Sequence, residues 1–143
     1  MTTASTHVLD AARGLPAAGM RAALTGPLPV PPPDDATGDG PSPDHERAPR
    51  PPSDTAAEPG GSLPAAAEPE HRTATTDDDG RIAWGDLPGP GTYTLELATG
   101  DWFAAQDRDT FYPRVVLEVA LGTAHTHVAL LLSPFAYTTY RGS

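Results

Sequence analysis

His125-Thr126-His127-Val128-Ala129-Leu130-Leu131-Leu132, closed by Ser133-Pro134, is one of the two strongest strand signals in the chain. Successive side chains of a strand point to opposite faces. His125, His127, Ala129 and Leu131 therefore share one face, and Thr126, Val128, Leu130 and Leu132 share the other. Both faces are largely apolar after position 127, so both are expected to be buried. Working outward, Arg114–Leu121 is an equally strong strand, and Phe135–Arg141 begins a last one beyond the Ser-Pro break. Thr92–Leu97 alternates as a strand after the Pro88-Gly89-Pro90-Gly91 turn. Asp77-Asp78-Asp79-Gly80 reads as a turn between Arg72–Thr76 and Arg81–Trp84, because Asp-Gly supplies a positive-φ position. Thr6–Asp10 is short and rich in β-formers, residues 11–19 are punctuated by Gly14, Pro16 and Gly19, and Met20–Thr25 is a weaker strand diluted by alanine. Residues 100–109 are the one helical stretch, one or two turns capped by Asp101. Seven or eight short strands separated by turn signals predict a β-sandwich.

Composition says which residues can build it. Of 143 residues, 19 are acidic and nine are basic, a formal charge of −10, and every basic residue is arginine. That balance argues against a nucleic-acid surface, which needs basic clusters to release counterions, and against an anionic membrane. There is no cysteine, which removes disulfides, thiolate metal sites and cysteine nucleophiles. No run reaches the ~18 apolar residues of a membrane span. Met1-Thr2-Thr3-Ala4-Ser5-Thr6-His7 lacks the basic and apolar regions of a signal peptide, so the expected compartment is the cytoplasm. Residues 26–70 hold 13 of the 18 prolines, a net charge of −7 and no aromatic residue. Such a segment buries too little apolar surface to offset backbone ordering at ~1–2 kcal/mol per residue. It is expected to be a disordered, acidic, Pro-rich insertion inside a single domain spanning 1–143, with folded parts 5–25 and 71–143. Closure entropy grows slowly with loop length, so the two flanks are expected to pair with each other.

The chemistry-bearing residues are few. No phosphate loop, dinucleotide fingerprint or G-x-S-x-G elbow occurs. His125 and His127 form an H-x-H that could hold a metal with a third ligand elsewhere, a weak signal by itself. His7 and His127 each sit in an apolar strand, Arg81 follows a tight turn, and Tyr140, Arg141 and Ser143 finish the sequence. Each histidine alone is most often a satisfied core or edge residue, Arg81 a solvated strand residue, and Tyr140 an aromatic with a wet hydroxyl. Pattern alone yields a small β-sandwich with an unusual histidine pair, and no reaction.

Four motifs add more. Thr6-His7-Val8-Leu9-Asp10 with the following Ala11–Gly19, Asp79-Gly80-Arg81, Phe111-Tyr112-Pro113 with His125–Pro134, and Tyr137-Thr138-Thr139-Tyr140-Arg141-Gly142-Ser143 occur in order. Together they resemble the transthyretin-like 5-hydroxyisourate hydrolases, over residues 5–25 and 71–143. The Tyr-Arg-Gly-Ser end separates these hydrolases from the hormone-carrying transthyretins. The resemblance implies an all-β fold: a two-sheet transthyretin-like sandwich of about eight strands with one short helix, assembled as a homotetramer, a dimer of dimers around a channel. It implies hydrolysis of 5-hydroxyisourate to 2-oxo-4-hydroxy-4-carboxy-5-ureidoimidazoline in urate degradation, with water activated by histidine and with neither metal nor cofactor. His7, Arg81, His127 and Ser143 are the implied catalytic residues, and His7, Arg81 and Tyr140 the implied substrate contacts. The alternative is a non-catalytic small-molecule carrier on the same fold. Three departures stand out. Asp77 replaces a usual asparagine and places negative charge close to Arg81, weakening its hold on an anion. Thr126 replaces an aromatic and is expected to change packing only. The insertion at 26–70 replaces a short connection and is expected to loop away from the channel.

Overall fold

A computed structural model of the chain describes residues 1–29 and 68–142. Nine strands and one helix follow in order: β1 Thr2–Asp10, β2 Leu15–Pro16, β3 Arg21–Gly26, β4 Glu70–Thr75, β5 Arg81–Leu87, β6 Gly91–Leu97, α1 Thr99–Ala104, β7 Val115–Leu121, β8 Thr126–Ser133 and β9 Ala136–Gly142. Eight of these strands have six residues or more; β2 is a two-residue bridge. They make two sheets. One has β1 at its centre, flanked by β8 and then β9 on one side and by β2 and β5 on the other. The second runs β4-β3-β6-β7. The two-sheet, all-β architecture with one short helix is the one expected from the alternating pattern.

The core lies between the sheets. β1 alternates without a break, burying Thr2, Ala4, Thr6, Val8 and Asp10 and turning Thr3, Ser5, His7 and Leu9 outward. Val8, Ile82, Trp84, Val128, Leu130 and Leu132 face Leu24, Tyr93, Leu95, Leu97, Val115 and Leu121 of the second sheet. Two buried polar groups satisfy each other where Trp84 Nε1 donates to Thr6 Oγ1 at 2.8 Å, as a sheltered indole must. Burial of β8 is one-sided in its inner row Val128, Leu130 and Leu132. On the outer row Ala129 is also buried, Leu131 and His127 are half-buried and His125 is exposed, so only part of the expected second buried face is covered.

Among the boundaries that differ from the expectation, three have a physical lesson. β1 starts at Thr2, not Thr6, because pairing with β5 and β8 recruits a polar, small-residue stretch that has little strand propensity of its own. α1 has the expected length of between one and two turns but starts at Thr99 and is not capped by Asp101. Its N-cap is Ala98, without a side-chain cap, and Asp101 lies in the first turn. The chain leaves the helix as Asp107 takes a left-handed φ of 54°. Finally, Gly26 and Glu70 are paired in the β3–β4 register, so the strands reach one residue into each end of the expected insertion. The flanks do pair, as loop-closure reasoning required. Most of the 26–70 insertion expected to be disordered, residues 30–67, lies outside the described residues. No described helix is long and apolar enough to cross a membrane.

Candidate active site

Strand register assembles the site. His7 of β1 is paired with Arg81 of β5 and with Ala129 of β8, and Ala129 is paired with Tyr140 of β9. Paired residues share a face, their Cβ atoms about 4.5–5.5 Å apart. Arg81, His7, Ala129 and Tyr140 thus form one row across four strands on the outer face of the first sheet. His127, two residues before Ala129, lies on the same face, and its ring centroid is 6.2 Å from that of His7. Residues 120 apart in sequence meet because β1 and β8 are parallel neighbours, and that pairing is built by the fold alone. Ala129 is the small floor of the row, buried although it faces outward.

Local structure aims each side chain. The Asp77–Gly80 turn puts Arg81 at the head of β5. Asp77 Oδ1 accepts the backbone N–H groups of Asp79 and Arg81, both at 2.9 Å. The Asp77 carboxylate is therefore engaged with the backbone as an Asx turn. Gly80 has φ +74°, and a Cβ there would lie 2.3 Å from the Val8 carbonyl, so only glycine lets this turn close against β1. At the other end, Gly142 pairs with His127. A Cβ on Gly142 would lie 2.5 Å from His127 Cδ2, so the glycine of the Arg-Gly-Ser end makes room for the imidazole. Thr126 is half-buried between the two histidines in sequence and alternates away from them, as expected.

The electrostatics single out His127. Its pKa is lowered from 6.5, first by desolvation and then by the positive charges of His7, Arg81 and His125. A neutral imidazole is thereby favoured close to neutral pH, which is the form a general base needs. Among the described residues the Arg81 guanidinium has no ion-pair partner, so its planar fork of donors is available to a ligand. No three His, Cys, Asp or Glu among the described residues are grouped to hold a metal ion. There, His125 and His127 find no third ligand.

Of the residues picked from sequence, the fold brings His7, Arg81, His127 and Tyr140 to one face. Ser143 lies outside the described residues. Sequence reasoning missed Ser5, whose Oγ is 2.7 Å from His127 Nδ1 and 3.0 Å from His125 Nε2. It also missed Thr3, whose Oγ1 is 2.8 Å from His125 Nδ1. The signal was present as the alternation Thr3-x-Ser5-x-His7, and starting the strand at Thr6 hid it. A groove of about 600 Å³ lies on the second sheet, lined in part by Arg21, Thr73, Glu96 and Arg114. The histidine cluster itself occupies an open sheet face.

Fold and site together define a class: a two-sheet β-sandwich that carries imidazole, guanidinium and phenol groups on the outer face of one sheet. Residues 58–142 match the family described as HIUase/Transthyretin, and the chain belongs to that family. It is 42% identical over 76 residues to the 5-hydroxyisourate hydrolase of Salmonella typhimurium, a match covering 50% of this chain and 56% of that one. It is 43% identical over 79 residues to the 5-hydroxyisourate hydrolase of Mus musculus, covering 52% and 67%. The chain thus spans little more than half the length of the Salmonella relative. Among solved structures, Klebsiella pneumoniae 5-hydroxyisourate hydrolase superposes with a TM-score of 0.65 at 27% identity, covering 100% of both chains. Sea bream transthyretin in complex with thyroxine superposes with a TM-score of 0.64 at 20% identity, covering 97% and 93%, which is a likeness of fold.

Proposed function

We propose that this chain hydrolyses 5-hydroxyisourate to 2-oxo-4-hydroxy-4-carboxy-5-ureidoimidazoline, in urate degradation. One observation carries the reading beside the family membership: the His7 and His127 rings are 6.2 Å apart, with Arg81 next to His7 in register. The substrate is a flat, polar heterocycle whose ring amide must be opened by water. His127, held neutral by burial and neighbouring cations, takes a proton from the attacking water. Arg81 stabilises the oxyanion that forms on the carbonyl, a job where losing one donor costs ~10²–10³ in turnover. The C–N bond then breaks, and the leaving ring nitrogen takes back the proton held by His127, while His7, the second imidazole within reach, orients the ligand. Tyr140 flanks the row and hydrogen-bonds the ligand. Ser143, next in sequence to the Gly142 that packs on His127, belongs to the same proposed set. No metal or cofactor enters these steps.

An open sheet face does not exclude water by itself. We infer that the working form is a homotetramer, a dimer of dimers in which a facing subunit walls the cluster. What supports this is that β7 and β9 are sheet-edge strands among the described residues, and that Phe111, Phe135 and Tyr140 are 72%, 70% and 51% exposed. Unpaired edges and exposed aromatics are features that association covers. The chain is read as a single domain, with 26–70 as an insertion at the β3–β4 connection. A cysteine-free chain acting on a small polar metabolite suits the cytoplasm, and that setting is part of the proposal.

The test is the ultraviolet absorbance decay of freshly generated 5-hydroxyisourate. Catalytic amounts of the protein are expected to accelerate it. Saturable binding of the compound without any acceleration would instead make the chain a carrier.

A further inference from the structure

The mechanism leaves three polar side chains on the same face unused: Ser5, Thr3 and His125. We propose that they form a proton relay serving His127, so that the charge created when His127 takes a proton is passed to His125. This rests on the reading of His127 as the base. The parallel pairing of β1 and β8 keeps Thr3-x-Ser5 in step with His125-x-His127. The result is one unbroken chain, from His127 Nδ1 to Ser5 Oγ at 2.7 Å, from Ser5 Oγ to His125 Nε2 at 3.0 Å, and from His125 Nδ1 to Thr3 Oγ1 at 2.8 Å.

Proton bookkeeping restricts how such a chain can be filled, because a hydroxyl has one hydrogen and a neutral imidazole has one N–H. In the resting state His127 Nδ1–H donates to Ser5 Oγ, Ser5 O–H donates to His125 Nε2, and His125 Nδ1–H donates to Thr3 Oγ1. His127 Nε2 then presents a bare lone pair to the ligand face. When Nε2 takes a proton from water, the Nδ1 proton moves to Ser5 and the Ser5 proton moves to His125 Nε2. His127 ends neutral with Nε2–H, and His125 ends as imidazolium donating to both Thr3 and Ser5. No atom is gained or lost beyond the proton taken from water. The same His127 Nε2 has changed from acceptor to donor, ready to return a proton to the leaving nitrogen, whereupon the chain resets.

The placement of charges favours this transfer. The groups facing His127 are His7 on β1, Arg81 on β5, His125 on its own strand and the Tyr140 phenol on β9. A cation on His127 sits half-buried beside the fixed charge of Arg81. A cation on His125, which is exposed in the single chain and lies two residues further from Arg81 than His127 does along the line of β8, is better solvated and less repelled. Ser5 and Thr3 are thus positioning residues for His127, and His125 is the proton store.

Histidine ¹⁵N NMR above pH 8 on the full chain, with kcat and KM for 5-hydroxyisourate, tests this. In the wild type, His127 is expected to be the Nδ1–H tautomer. Ser5→Ala should shift it toward Nε2–H and lower kcat by about 10–100-fold with KM unchanged, and Ser5→Thr should restore both. His125→Gln keeps a partner for Ser5 but cannot take the proton, so kcat should fall about tenfold with KM unchanged. A His127 tautomer indifferent to Ser5→Ala overturns the relay, as does full kcat in His125→Gln. If the wild type does not hydrolyse 5-hydroxyisourate, the reading of the site fails. The tautomer shift with its rescue by Ser5→Thr then decides for the hydrogen-bonded chain, and its absence against it.

Discussion

His7 and Asp10 lie three residues apart on β1 and show two opposite ways of placing a polar group in an apolar strand. Asp10 points inward and is 2% exposed. Its carboxylate accepts the backbone N–H groups of Ala12 and Arg13 and the guanidinium of Arg108, the last at 2.7 Å. Arg108 in turn lies 4.7 Å from the Phe103 ring centroid. Burial works to raise the Asp10 pKa, but the Arg108 and backbone hydrogen bonds and the Arg108 charge outweigh it and hold the carboxyl below 3.8. His7 points outward beside the Arg81 guanidinium, with no side-chain counter-ion among the described residues. A group whose bonding is complete holds the fold together. A group left with unspent bonding capacity on a face beside others like it is where chemistry can happen. The contrast is set by the parity of the strand, even positions in and odd positions out.

Breaking the outward group should cost activity and spare stability. His127→Ala is expected to lower kcat/KM for 5-hydroxyisourate by about 10³-fold or more, within the range of acid–base catalysis, with the thermal midpoint nearly unchanged. Arg81→Lys keeps the charge but loses the planar fork, and about 10²–10³-fold in kcat is expected. The acid limb of kcat/KM should lie below pH 6.5, because the folded His127 resists protonation. Arg81→Gln removes one of the opposing charges and should move that limb upward. Gly142→Ala forces a methyl against the imidazole, and misplacement on the ångström scale should lower kcat by about 10²-fold; crystallography of the variant checks the ring position.

Breaking the inward group should do the reverse. Asp10→Ala strands Arg108 and two backbone donors, and a loss of about 3 kcal/mol of unfolding free energy is expected, read by urea denaturation, with kcat per folded molecule retained. The pH dependence has a definite sign. The folded pKa of Asp10 is below its unfolded value, so its contribution is complete above about pH 4 and is lost as pH falls through the folded pKa. Asp10→Asn should flatten that part of the stability–pH curve.

Much of this was legible in the sequence, for identifiable reasons. The alternation in Val115–Leu121 and Thr126–Ser133, and the Asp-Gly turn ahead of Arg81, are local signals, and the structure reproduces them. His7 and His127 stand out as imidazoles inside apolar strands, whereas Arg81 and Tyr140 join them only through the motif resemblance. Residues 2–5 were not legible as strand, since Thr2, Thr3, Ala4 and Ser5 are ordered by partners more than 75 residues away in sequence. Ser5 and Thr3 were lost with them. The Asp10–Arg108 pair was equally invisible, because it depends on the turn after α1 returning the chain to the end of β1.

The most direct measurement is a double-mutant cycle on kcat/KM for 5-hydroxyisourate decay, comparing His7→Ala, His127→Ala and the double variant in folded protein. The two rings are held to act as one unit, so the double variant should be little slower than the more damaged single variant. Losses that simply multiply, or a single variant that keeps full activity, would contradict it.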